Sequence, residues 1–182
     1  MKNIVVTGFE PFGGAERNAS WEAVRGLEGV RTVCLPVTFT GAAERVCELL
    51  NRDPDIMICV GEAGGRDRIS LERVAVNLMD ARIPDNAGYQ PVDVPVRVGR
   101  PAAWFTALPV REMMKAAEAC GVPAELSCTA GTYVCNAVFY TLMDERDRQG
   151  KNIPAGFIHV PRDMETGRVR EALQAMIRCL SA

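Results

Sequence analysis

The sequence predicts one α/β domain with a mainly parallel sheet covered by helices on both faces. Three observations carry that expectation. Short β-branched runs alternate with helical runs, as right-handed crossover units require. Residues 56–60 are continuously apolar, the mark of a strand buried on both faces. No repeat, low-complexity tract or linker interrupts the pattern, and 182 residues suit a single domain spanning 1–182.

The elements follow in order. Residues 4–7 form a short apolar strand and residues 8–14 a Gly/Pro-rich turn. Ser20 is placed to cap a helix that begins at Trp21, with Glu22 in its first turn. Residues 30–37 read as a strand. Residues 40–52 read as a helix, with Ala43, Val46, Cys47 and Leu50 on one face. The strand over 56–60 ends at Gly61-Glu62-Ala63-Gly64-Gly65. Partial alternation predicts a strand over 69–78. Residues 82–98 hold Pro84, Gly88, Pro91 and Pro95 and make a long structured loop, a feature that usually serves function. Residues 110–120 are helical, closed by Gly121-Val122-Pro123. A strand over 124–129 leads to a helix over 132–148. That helix is apolar around most of its first three turns, hence buried. A strand over 157–160 is stopped by Pro161. Val169, Ala172, Leu173, Met176, Ile177 and Leu180 mark a final amphipathic helix. Sheets of this type bind ligands at the carboxyl ends of their strands. Attention therefore falls on residues 8–14, 61–65, 129–135 and the segment after His159.

Composition excludes several function classes. Twenty-one basic residues against 23 acidic ones give a net charge of −2. A phosphate-backbone binder or a polybasic membrane binder needs a basic excess or stripe, and neither is present. No apolar run approaches the ~20 residues of a membrane helix. The three apolar residues Ile4-Val5-Val6 near the start are too few for a signal-peptide core of about 7–15. The chain has seven cysteines, an odd number without tight spacing, which points to reduced thiols in a cytoplasm. The sequon Asn18-Ala19-Ser20 matters only in a secreted chain. The tail from Cys179 has Ser181 where a prenylation signal wants an aliphatic residue.

There is one histidine, His159. That excludes a zincin motif, and the absence of Cys-x-x-Cys removes a zinc ribbon or a thioredoxin-type pair, so no metal site or cofactor is expected. A lone histidine is more often structural, but this one ends an apolar strand where such a sheet presents its site. Buried core is the ordinary reading for a cysteine, and Cys34, Cys47 and Cys59 are left as core. Cys135 differs. With Thr132 as N-cap it is the third residue of a helix, where the dipole and free N–H groups lower a thiol's pKa and make it a better nucleophile. A thiolate needs a general base, and the base an orienting group. His159 is the one side chain that ordinarily titrates near neutrality. Glu72, a carboxylate in an otherwise apolar strand, is the candidate orienter. Its alternative is a buried partner for Arg66, Arg68 or Arg73. The stretch Gly8-Phe9-Glu10-Pro11-Phe12-Gly13-Gly14 lacks the Gly-Lys-Ser/Thr ending of a phosphate loop. Phe9 and Phe12 more naturally form a flat apolar slot, or else simply pack on the helix at Trp21.

Those residues carry a resemblance. The blocks Gly8–Gly14, Gly61-Glu62-Ala63-Gly64-Gly65-Arg66, Glu72-Arg73-Val74-Ala75-Val76-Asn77, Ala81-Arg82-Ile83-Pro84-Asp85-Asn86, Ala130-Gly131-Thr132-Tyr133-Val134-Cys135-Asn136 and Phe157-Ile158-His159-Val160-Pro161 resemble, in order, the pyroglutamyl-peptidase I family of cysteine peptidases. The resemblance implies a three-layer α/β/α sandwich with a twisted mixed sheet and a Glu–Cys–His triad carried onto Glu72, Cys135 and His159. It implies cleavage of N-terminal pyroglutamyl residues from peptides through a thioester, no metal, and a homo-oligomer, dimer or tetramer. A flat, uncharged lactam suits apolar walls from Phe9, Phe12, Ile83, Tyr133 and Val134, with a backbone contact at Glu62 whose carboxylate points away. The chain departs from the family in having Glu62 for a common Gln and Tyr133 for a frequent Phe. It is also shortened over 30–40 and after Pro161. Two alternatives stand beside the peptidase. One is a non-catalytic lactam binder of the same fold; the other is a nucleoside-phosphorylase-like enzyme, which would want a phosphate site richer in Arg and Ser.

Overall fold

The computed structural model describes residues 2–181. Its strands are β1 (Ile4–Phe9), β2 (Arg31–Leu35), β3 (Ile56–Ala63), β4 (Ile69–Glu72), β5 (Val74–Val76), β6 (Ala103–Phe105), β7 (Ala124–Ser127) and β8 (Ala155–Pro161). Its helices are α1 (Ala19–Val24), α2 (Phe39–Leu50), α3 (Val110–Ala119), α4 (Val134–Arg148) and α5 (Thr166–Ser181). The six-stranded sheet runs β2-β1-β3-β8-β4-β7. Its pairings are parallel except β4 with β8, so the sheet is mixed and mostly parallel.

Strand alternation sorts the core into two layers. Val5, Phe9, Met57, Cys59 and Phe157 face α2 and α4. Ile4, Val6, Ile58, Val60, Leu71, Ile158 and Val160 face α1, α3 and α5. Burying both faces explains why β1, β3, β4 and β8 are almost wholly inaccessible. It also explains why their sequences lack a polar repeat. α1 lies so close to β1 that a Cβ on Gly8 would meet the backbone of Trp21 at 2.9 Å.

Local details depart from the sequence expectation. The strand over 69–78 breaks at Arg73, whose N–H donates to Ser127 O while its carbonyl accepts from Thr106 N–H. β4 stays in the main sheet, and β5 pairs antiparallel with β6 in a separate ribbon. The N-cap of α1 is Asn18, which accepts from the Ser20 N–H. The Ser20 hydroxyl instead accepts from Phe9 N–H and donates to Asn18 Oδ1. Both residues are good caps, and β1 claims the second. Pro161 does not stop β8 but ends it, paired opposite Ala63. Of the thiols expected in the core only Cys59 is buried; Cys47 is half-buried and Cys34 exposed.

The long connection after β5 is tied down by polar groups on α4. Asn136 accepts from Val76 N–H and donates to the carbonyls of Val76 and Leu78, so its side chain serves as a strand neighbour. Asp144 is fully buried and accepts from Arg97 at 2.7 Å, Arg100 at 2.6 Å and Trp104 Nε1 at 3.2 Å. The buried Asp85 accepts from the N–H groups of Phe39, Ala87 and Tyr89, joining the loop to the start of α2. Removing a buried ion with several partners leaves those partners uncompensated. Asp144→Ala is therefore expected to lower the urea midpoint by the equivalent of about 2–3 kcal/mol with an unchanged slope, measured by equilibrium denaturation.

Candidate active site

The site begins with the one antiparallel pairing. In the β4–β8 register Ser70 lies opposite His159 and Leu71 opposite Ile158. Glu72 is then diagonal to His159 on the same face, within reach across the strands. Its Oε1 lies 2.7 Å from His159 Nδ1. The same oxygen accepts from Arg66 Nη1 at 2.7 Å. Glu72 is completely buried, and its Oε2 has no hydrogen-bond partner. Glu72 Oε1 therefore contacts both partners the sequence offered for it, His159 and Arg66. With Glu72 ionised, Nδ1 carries the proton and donates, and Nε2 remains the acceptor.

Cys135 comes from α4, which covers this same face of the sheet. The N-cap of α4 is Tyr133 rather than Thr132, so Cys135 is the second helical residue. No side chain caps this end, which leaves first-turn N–H groups facing outward. Room for the thiol is made by Gly61, beside His159 in the β3–β8 register. A Cβ at position 61 would lie 2.7 Å from Cys135 Sγ and 2.8 Å from Phe157 Cζ. Gly61 thus does more than end a strand; β3 runs two residues past it.

The expected lowering of the thiol's pKa is not what the surroundings produce. Cys135 meets the cleft on one side and is enclosed by protein on the others. Burial pushes its pKa up to about 12, and the neighbouring Glu72, Cys59 and Glu62 add to the rise; Arg66 opposes it. Desolvation outweighs the helix N-terminus because a thiolate here loses water and faces carboxylates. At that pKa the Cys135 thiol keeps its proton at neutral pH.

Cys135 and His159 line one cleft of about 730 Å³ at the carboxyl ends of β1, β3 and β8. All six residues expected in the substrate pocket line it too: Phe9, Phe12, Glu62, Ile83, Tyr133 and Val134. Glu72 stands behind the wall, in contact with His159. Phe9 and Phe12 do not pack on Trp21, which belongs to the other core layer. Phe9 packs on Phe157 with ring centroids 6.3 Å apart, and Phe12 on Tyr133 at 6.2 Å. The Tyr133 hydroxyl donates to Pro84 O at 3.0 Å, holding the loop that carries Ile83. Both Glu62 oxygens are engaged, one by Ala19 N–H at 2.7 Å and one by Arg162 Nε at 2.6 Å. Sequence reasoning missed Asp80, Arg82 and Arg162 on the rim. Charged residues on Gly/Pro-rich loops carry no periodic signal. Among the described residues no group of three or more His, Cys, Asp or Glu is placed to hold a metal ion.

Comparison with known proteins gives the chain's relatives. A pyroglutamyl peptidase family model matches residues 2–167. A pyrrolidone-carboxylate peptidase of Thermococcus kodakarensis is 50% identical over 165 residues, covering 87% of this chain and 80% of the relative. One from Bacillus subtilis is 46% identical over 168 residues, covering 88% and 78%. The crystal structure of pyroglutamyl peptidase I from Bacillus amyloliquefaciens superposes with a TM-score of 0.96 at 40% identity, covering 100% of this chain and 95% of that one.

The Gly61 contact is directly testable. A methyl group there must displace the sulfur or Phe157, since real Cβ contacts do not approach so closely. Gly61→Ala is expected to slow alkylation of Cys135 by iodoacetamide at least about tenfold, equivalent to 1.4 kcal/mol of barrier, followed by peptide mass mapping.

Proposed function

The chain belongs to the pyroglutamyl peptidase family of cysteine peptidases, and from that premise we propose that it hydrolyses the N-terminal pyroglutamyl residue from peptides with Cys135 as nucleophile, His159 as general base and acid, and Glu72 as orienter. The observation that supports the reading best is the 2.7 Å contact of His159 Nδ1 with the buried Glu72, beside a thiol in the same cleft.

The chemistry follows from a protonated resting thiol. As Cys135 Sγ attacks the pyroglutamyl carbonyl, His159 Nε2 takes the thiol proton, so a free thiolate need not accumulate. Glu72 stabilises the imidazolium that forms. The uncapped N–H groups at the start of α4 are placed to receive the oxyanion. Collapse expels the peptide amine, which takes the proton from His159 and leaves a thioester on Cys135. Water, activated by the neutral His159, then releases pyroglutamate and restores the thiol.

Apolar walls from Phe9, Phe12, Ile83, Tyr133 and Val134 suit the lactam and make desolvation of an ordinary N-terminal ammonium expensive. Engagement of both Glu62 oxygens supports a substrate contact through its backbone, so that Glu substitutes there for Gln without bringing free charge to the lactam. The seven unbridged cysteines support a reducing cytoplasm, and among the described residues no helix is long and apolar enough to cross a membrane. Neither the lactam-binder nor the nucleoside-phosphorylase alternative draws support from the likenesses above.

The deciding experiment is turnover of a pyroglutamyl arylamide. Cys135→Ser is expected to lose at least about 10³-fold in kcat, because an alcohol ionises far less readily than a thiol, while Cys128→Ser keeps parental activity. Equal losses in the two variants sink the assignment. Phe12→Ala is expected to raise KM at least fivefold, about 1 kcal/mol of lost apolar contact, with a smaller change in kcat. Efficient cleavage of N-terminal prolyl or glutaminyl arylamides contradicts the account of the pocket.

A further inference from the structure

Arg66 stands where the two layers of the site meet. It follows the turn after β3, donates through Nη1 to Glu72 Oε1 at 2.7 Å and through Nη2 to Thr129 O at 2.9 Å. Thr129 lies in the connection from β7 to α4, the segment that delivers Cys135. One guanidinium therefore joins the orienting carboxylate to the nucleophile's loop. Arg66 also lines the cleft, and its side chain is only 26% exposed.

Resting on the functional reading above, we propose that Arg66 is a positioning residue that sets how strongly Glu72 holds the His159 proton and keeps the Cys135 loop in register with it. Glu72 Oε1 is shared between two donors while Oε2 is unpartnered, so the histidine and the arginine compete for one oxygen. A buried carboxylate with His159 as its only partner would hold the imidazole as a cation, unable to take the thiol proton. It would also make a reluctant donor of that proton to the leaving amine. A guanidinium on the same oxygen takes up part of the carboxylate's charge and so weakens its hold on the imidazole proton.

The other charges around the imidazole do not replace it. Glu62 on β3 is paired with Arg162 at 2.6 Å. Cys59 is a buried thiol held neutral, its pKa raised to about 12 by burial. Across the cleft, Asp80 and Arg82 carry opposite charges. Arg66 is also the cation that favours ionisation of Cys135.

The single histidine makes the test clean, because one imidazole resonance can be followed by NMR without assignment. In Arg66→Met the pH midpoint of that resonance is expected to rise by about one unit. The kcat on a pyroglutamyl arylamide at neutral pH is expected to fall at least tenfold, with KM changed less than twofold. Arg66→Lys restores the midpoint, since the charge is kept. It does not restore the full rate, since an ammonium cannot reproduce the planar fork that spans Glu72 and Thr129. An Arg66→Met midpoint equal to the parent's overturns the proposal. If that variant does not fold, Arg66→Gln must show the same rise, and an unmoved midpoint there is equally fatal. Failure of the parent to cleave the arylamide refutes the functional reading alone, because the midpoint is read without substrate.

Discussion

A carboxylate inside a β-sheet must be paired, and the arrangement of this site follows from how Glu72 is paired. Its placement depends on β4 running against β8 in an otherwise parallel sheet. A parallel β4 would change the register and remove the diagonal step that joins Glu72 to His159. The reversal follows from the five residues Gly64–Arg68 that join β3 to β4, too few for the crossover a parallel return requires. Topology, carboxylate and histidine are therefore one feature seen at three scales.

The second requirement is that α4 be immovable, since it carries the sulfur. Its first ten residues are buried apart from Cys135, so hydrophobic packing fixes its depth. Rotation and register are fixed by polar contacts that packing alone does not specify. Asn136 engages the backbone after β5, and Asp144 gathers two arginines and a tryptophan further along the helix. A fully satisfied buried network of this kind selects one arrangement among several of similar apolar burial. The loop it secures also brings Ile83 to the cleft, so the same contacts position nucleophile and pocket wall together.

Much of this was legible in the sequence, and the limits have physical causes. Strand and helix order followed from apolar periodicity except for β6, whose three residues are too few to show a period. His159 and Cys135 stood out because their types and positions are unusual, and Glu72 because a carboxylate interrupts an apolar run. The break at Arg73 was hidden because alternation continues through it, and only lateral pairing separates β4 from β5. The role of Gly61 was hidden for the same reason: the space it leaves is taken by a side chain 74 positions away. The ionisation of Cys135 was misjudged because a helix start is visible in sequence, whereas the burial and the neighbouring carboxylates that outweigh it are not.

That ionisation bears on how the protein withstands oxidants. Peroxide attacks thiolates, and susceptibility follows ionisation and access. The Cys135 thiol, stored with its proton and recessed in a cleft, is a poor target. Cys34, Cys128 and Cys179 lie at the surface and meet a diffusing oxidant first. The arrangement separates chemical durability from catalytic competence: a thiol that keeps its proton is slow toward oxidants, yet a neighbouring base can take that proton at the moment of attack.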